Sequence, residues 1–283
     1  MHSLGTRPSF PSQLGVAPAR AAVCKEGLAR VCCEPYSAPT RKTKHKTGTH
    51  LTNYSLSKYD HNFVHTDDPA NGSVGTKRTM SSVLDHLDQT TDHTRAALWG
   101  SVAALCRGVA RRMTETVVNG GGEGLSRREV LAAFEDKRSQ IEPWKLQSCF
   151  HLLGVDVILD ANGAAHLLEV NALPSWGIDS VFPVEGPHQV PPPVATPERD
   201  AIVGNAKAHL RNALGQAKGK RCRCMAHHRP HEHHPCAVDI VAKKSAMAGA
   251  LRMLRRCRAA EKKDSSIVPS AELVHGTEYE PLF

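Results

Sequence analysis

The stretch Cys149–Ser175, CFHLLGVDVILDANGAAHLLEVNALPS, decides the fold. Two runs rich in Val, Ile and Leu flank Asn162-Gly163. That dipeptide is the one best suited to a two-residue type I′ turn, because both positions tolerate φ > 0. The pattern predicts a β-hairpin over residues 152–172. Counting outward from the turn sets Ala161 opposite Ala164, Asp160 opposite Ala165 and Asp156 opposite Glu169. With a period of two, Asn171 shares a face with Glu169, and its cross-strand partner Gly154 leaves space beside it. Carboxylates directly opposite each other, roughly 5 Å apart at Cβ, repel and require a positive charge between them. Oxygen donors on a rigid hairpin suit a hard cation, above all Mg²⁺, which keeps water or phosphate oxygens in its shell. The same spacing also fits an ordinary amphipathic hairpin with a polar outer face.

The literal strings add to this. GVDVILD (Gly154–Asp160) and LLEVNALPS (Leu167–Ser175) resemble the ATP-grasp core of the tubulin tyrosine ligase-like family, whose GFD and LLEVN strands carry a metal-binding Asp, Glu and Asn. Two further motifs precede them in family order: HLTNYSLSKYDHNFV at His50–Val64 and GTKRTMSSVL at Gly75–Leu84. The latter is similar to the branch that polyglutamylates tubulin. The resemblance covers about residues 48–215. It implies an α+β fold, a partial ATP-grasp with an antiparallel sheet and flanking helices. It implies ATP and Mg²⁺ as cofactors, with Asp156, Glu169 and Asn171 as the catalytic, metal-holding set. Thr52 and Asn53 are the implied polar contacts to ATP, and Lys77 and Arg78 the implied basic residues facing an acidic substrate tail. A solvated pair suits Lys77 and Arg78 as well. The implied reaction phosphorylates a glutamate carboxylate on the tubulin tail to an acyl phosphate, which the amino group of free glutamate then displaces.

A complete ligase of that family carries an N-terminal domain and phosphate-binding lysines ahead of HLTNYS. Residues 1–47 are rich in Pro, Ser, Ala, Arg and Lys and show no counterpart, so they are expected to be mostly disordered. The expectation is a C-terminal half of a catalytic domain, which by itself binds Mg-ATP poorly. The alternative function is an inactive pseudo-ligase that serves as a microtubule-binding module.

Composition bounds the rest. Of 283 residues, 40% are hydrophobic and only 5% aromatic, enough for one ordinary domain with extensions. No run of 18 apolar residues exists, so no transmembrane span is expected. Nine cysteines without a regular framework suit a reducing cytosol, and the family resemblance points to the cytoskeleton, with a cilium or basal body as an option. A formal charge of +8 favours an acidic partner. Nucleic acid is disfavoured by the low aromatic content and the lack of a known finger spacing.

Helices are predicted from Ser82, from Arg95 to Met113 with Leu98, Val102, Leu105, Val109 and Met113 on one stripe, from Ser126 to about Lys137, and from near Glu198. A proline-rich loop spans Pro183–Pro197. Residues 216–283 leave the family pattern as a Cys/His-rich and basic tail. Cys222, Cys224, Cys236 and five histidines there can bind Zn²⁺ by composition, although the C-x-C spacing differs from common structural sites. Lys243–Lys263 reads as a basic helix able to dock on an acidic surface.

Overall fold

The computed structural model describes residues 20–58, 60–119, 150–183, 193–204, 206, 231–261 and 270–283. The helix expected from Ser126, most of the proline-rich loop, and Cys222 and Cys224 lie outside the described residues. In chain order the elements are β1 (Ala22–Cys24), β2 (Leu28–Arg30), α1 (Thr47–His50), α2 (Tyr54–Ser57), β3 (Lys77–Thr79), α3 (Met80–Thr90) and α4 (Arg95–Asn119). Then come β4 (Gly154–Leu159), β5 (Ala165–Asn171), β6 (Asp179–Pro183), α5 (Pro197–Val203), β7 (His231–Pro235), α6 (Ala237–Glu261), α7 (Ser270–Val274) and β8 (Tyr279–Pro281). The strands pair as four antiparallel ribbons, β1 with β8, β2 with β3, β4 with β5 and β6 with β7. The mixture of helices and small antiparallel sheets agrees with the expected α+β class.

Two expectations are corrected. Residues 22–30 are not disordered: β1 pairs with β8, and β2 pairs with β3 so that Arg30 stands opposite Lys77. These strands are three residues long with partners far away in sequence, so composition alone gives no sign of them. The described part of the Cys/His-rich and basic tail, residues 231–261 and 270–283, packs on the rest of the chain. Strand β7 pairs with β6 along five residues, and α6 begins at Ala237, six residues before the expected Lys243. Ala237 and Val238 are fully buried.

The helix caps show how local sequence fixes these elements. Thr79, in extended conformation, accepts from the Ser82 amide at 3.3 Å, so α3 starts at Met80 rather than at Ser82. An acid from a distant strand end supports this start: Glu26 Oε2 accepts from the Ser81 hydroxyl at 2.5 Å. At α6, Asp67 accepts from the Ala237 amide at 3.2 Å, and its other oxygen accepts from Arg199 at 2.8 Å. One carboxylate thus joins the N-terminus of α6 to α5.

Helix α4 supplies the floor beneath the hairpin. Leu98, Val102, Ala103 and Cys106 are buried, while Met113 at the far end of the predicted stripe is exposed. Val155, Val157, Leu159 and Ala165 of the hairpin pack against the cluster of Val102, Cys106 and Leu282. The Ser101 hydroxyl accepts from the Ala165 amide at 2.8 Å, and Trp99 Nε1 donates to Glu280 at 2.9 Å, which fixes α4 to both β5 and β8.

A buried ion pair joins Lys77 on β3 to Asp239 on α6. Lys77 Nζ also donates to Ser180 Oγ on β6 at 3.0 Å and sits 4.9 Å from the centre of the Tyr54 ring. Burial works against the ammonium, but the Cys236 sulfur and Asp239 more than offset it and raise the Lys77 pKa. Burial also raises the Cys236 thiol, so at neutral pH the counterion is Asp239. Burial opposes the Asp239 charge too, yet Lys77 and Lys243 hold the carboxyl below its ordinary range. The stabilisation from Asp239 is therefore complete above the ordinary carboxylate range. It is lost only as pH falls through the depressed folded value. Asp239→Asn is expected to cost about 3–5 kcal/mol, since it strands a buried ammonium, and Lys77→Met/Asp239→Leu to cost less than the single change. Denaturant titration of the three proteins at neutral pH checks both.

Candidate functional site

The hairpin brings Asp156 and Glu169 directly opposite each other, and Gly154 opposite Asn171, as expected. The route to that register differs. The turn holds three residues, Ala161, Asn162 and Gly163, not two: Asp160 and Ala164 close it, with Leu159 opposite Ala165. Asp160 Oδ1 accepts from the amides of Asn162 at 2.8 Å and Ala164 at 2.9 Å, and this Asx-type bonding favours the longer loop. Gly163 takes φ +75°, which a side chain would strain. A register shift beyond Asp156–Glu169, with Leu168 as the extra residue, then restores the predicted pairing. The bulge exposes both Leu167 and Leu168.

The space beside Gly154 is not open. A Cβ there would meet Pro174 at 3.2 Å and Asn171 at 3.5 Å, so the strand end is closed by the proline that follows it. Asn171 Nδ2 donates to Glu169 Oε1 at 3.1 Å, which leaves the amide oxygen as the donor atom for a ligand. Burial raises the Asp156 pKa first, and the hydrogen bond and charge of Glu169 raise it further; Arg30 on β2 pulls it back. Two carboxylates and an amide oxygen on one hairpin face form a hard donor set with a deficit of positive charge. That donor chemistry fits Mg²⁺. Arg30 was not singled out from the sequence. Only the β2–β3 pairing brings it beside the hairpin, and no local signal could have shown it.

The other expected residues are not in this cluster. Thr52 and Asn53 lead into α2, where the Asn53 carbonyl accepts from the Leu56 and Ser57 amides. Asn53 is exposed and Thr52 half-buried. Their neighbour Tyr54 ties the segment to β6, its hydroxyl accepting from the Val181 amide at 3.2 Å. Lys77 is 8% exposed and engaged with Asp239, so it does not face outward to an acidic tail. Arg78 is half-buried and donates from Nε to the Gly75 carbonyl at 2.6 Å and from Nη1 to the Gly72 carbonyl. Both cations hold the fold in this structure, because β3 is covered by α6 and by the loop ahead of it.

Asp156, Glu169 and Asn171 thus stand together on one hairpin whose apolar side is backed by a long helix. Comparison gives the family. The model of the tubulin-tyrosine ligase family matches residues 14–182, and the chain belongs to that family. The match begins upstream of residue 48, so the N-terminal region has a family counterpart that the motifs did not show. Tubulin polyglutamylase TTLL11 of Homo sapiens is 34% identical over 157 residues, covering 56% of this chain and 19% of that protein. Tubulin polyglutamylase ttll-11 of Caenorhabditis elegans is 30% identical over 165 residues, covering 58% of this chain and 21% of that protein. A probable beta-tubulin polyglutamylase of Tetrahymena thermophila is 30% identical over 166 residues, 59% of this chain and 13% of that protein. The chain thus spans about a fifth or less of the length of these relatives.

Removing the Glu169 charge tests the electrostatics directly. Glu169→Gln is expected to bring the Asp156 pKa down towards the ordinary carboxylate range. It should also stabilise the metal-free chain slightly at neutral pH, by about 0.2–1 kcal/mol, because a like-charge cross-strand pair is relieved. Carboxyl ¹³C titration reads the first effect and denaturant titration the second.

Proposed function

We propose that this chain carries part of the catalytic unit of an ATP-dependent ligase that adds glutamate to tubulin C-terminal tails. The observation behind this reading is the convergence of Asp156, Glu169 and Asn171 on one hairpin face in a chain of this family. Relatives named as tubulin polyglutamylases support glutamate as the added residue and tubulin as the acceptor. In the ATP-grasp reading, Asp156, Glu169 and Asn171 hold Mg²⁺, which when bound offsets charge on the phosphate oxygens. The residues present do the positioning. The bulge at Leu168 and the apolar face on α4 fix the two carboxylates, and the Arg30 charge on β2 lowers the Asp156 pKa. Thr52 and Asn53 remain proposed contacts to ATP. Arg78, and Lys77 if its ion pair opens, remain proposed contacts to the acidic tail. The place of action is then the cytoskeleton, and a cilium or basal body is consistent with it. Among the described residues no helix is long and apolar enough to cross a membrane.

A second surface suits the same substrate. Lys244, Arg252, Arg255 and Arg258 are exposed along α6, beside Leu251. Such a cationic stripe concentrates a polyanionic partner at moderate salt.

Two measurements test the reading. Labelled glutamate incorporation into tubulin by the natural product carrying this sequence should fall at least about 100-fold in Glu169→Gln, an effect of the size that a lost electrostatic contact has. The far-UV spectrum should stay unchanged. Full activity in that variant would remove the hairpin from the reaction. Arg255→Glu/Arg258→Glu should weaken co-sedimentation with microtubules, and added salt should weaken the unaltered protein in the same way. Binding indifferent to both would dismiss the α6 stripe.

A further inference from the structure

Cys32 and Cys33 are adjacent in the chain and play no part in the ligase reading. They follow β2, at a place where two backbone bonds pin the chain. The Val31 amide donates to the Thr76 carbonyl at 2.9 Å, and the Glu34 amide to the Gly48 carbonyl at 3.0 Å. The two cysteines fill the step between these anchors. Both are free thiols and both are half-buried, so neither sulfur is sealed off from a small molecule. The Cys33 thiol donates to the Ser57 carbonyl, at the end of α2, in a weak contact of 3.9 Å.

Covalent geometry limits what such a pair can do. Consecutive Cα atoms are about 3.8 Å apart, whereas disulfides usually span about 4.4–6.8 Å. A disulfide between neighbours is therefore strained and readily reduced, and the pair persists as a dithiol. Ionisation is held down as well. Burial raises the Cys32 thiol. Burial first, and then the Asp60 charge, raise the Cys33 thiol, while a hydrogen bond with the Thr76 side chain pulls it back. At neutral pH both sulfurs keep their protons, which disfavours metals that bind only thiolates. Among the described residues no three His, Cys, Asp or Glu side chains gather to hold a metal, so the four-ligand shell of structural Zn²⁺ is not met there. The ligand that suits this pair needs only two sulfurs, takes them protonated and requires no oxidant.

We propose that Cys32 and Cys33 form a vicinal two-thiol site that captures a trivalent arsenical carrying one organic group. Soft sulfur suits soft, thiophilic centres and not the hard Mg²⁺ that the hairpin oxygens suit, so the two sites do not compete for one ligand. The step balances without electron transfer. The hydrated arsenical carries two hydroxyls on arsenic. Each thiol gives its proton to one of them; two S–H and two As–O bonds break, two As–S bonds form, and two waters leave. The Cys33 contact to the Ser57 carbonyl is given up, since the proton that makes it departs with water. The second As–S bond closes within one dipeptide, so the effective concentration of the second thiol is high.

The test uses the full chain and phenylarsine oxide. The folded protein is treated, free arsenical is removed, and the remaining thiols are alkylated before digestion with trypsin. Residues 31–41, VCCEPYSAPTR, are released as one peptide that holds these two cysteines and no other. Mass spectrometry should find this peptide carrying a single arsenical and no alkyl group. Dimercaptopropanol should strip the arsenical, and excess glutathione, a monothiol, should not. Cys32→Ser and Cys33→Ser should each weaken capture at this peptide by roughly 10²–10⁴-fold, because the chelate is lost. The peptide map of the unaltered protein reads the site whether or not the variants fold. Capture confined to Cys222 and Cys224, a peptide alkylated on both cysteines, or capture there that survives either substitution would overturn the site and leave Cys32 and Cys33 as packing residues.

Discussion

The buried ion pair of Lys77 and Asp239 is the constraint on which the rest depends. Desolvating two charges costs several kcal/mol per ion, and attraction between them repays this only when every remaining donor and acceptor is used. Here they are. The ammonium has Asp239, the Ser180 hydroxyl and the Tyr54 ring; the carboxylate has Lys77 and Lys243. Those partners come from α2, β3, β6 and α6, so satisfying one charge requires four elements to arrive together. The pair also crosses the boundary of the family match, which ends at residue 182, 57 residues before Asp239.

The carboxylate pair of the hairpin depends on a different balance. Burial of Val155, Val157, Leu159 and Ala165 against α4 decides which face points inward. A one-residue slip of β5 would turn its whole set of side chains over. The site is therefore held in place by apolar contacts on the opposite face, while its own charges push apart. Asn171 eases the repulsion by donating to Glu169, and Arg30 eases it from β2.

This explains what the sequence made legible. Period-two alternation and the Asn-Gly signal placed Asp156, Glu169 and Asn171 correctly, although the turn is one residue longer than predicted. The loop gained at Asp160–Ala164 is cancelled by the bulge at Leu168, because both the turn chemistry and the apolar face are local and each enforces its own optimum. The long helix α4 was legible for the same reason. Contacts between distant residues were not. Arg30 beside Asp156, β1 on β8 and Glu26 at the start of α3 each join residues tens to hundreds of positions apart. Lys77 shows this most clearly: its chemistry suits a surface cation, and only Asp239, 162 residues away, makes it a core residue.

The position of Lys77 bears on how the family segment holds its shape. Residues 14–182 carry the family match, but β1, β6 and the floor under β3 are completed by β8, β7 and α6. Without those later elements, β1 and β6 would present unpaired edges, and Lys77 would lose its counterion. Among the described residues Asp239 is the carboxylate paired with Lys77, so a segment stripped of it leaves a buried ammonium without that counterion. It would have to move β3 outward to solvate the charge. Strand β3 carries β2 with it, and β2 carries Arg30, the cation that lowers the Asp156 pKa. Downstream residues that touch neither Asp156 nor Glu169 therefore help set the electrostatics between them, through a buried charge that has to be kept paired.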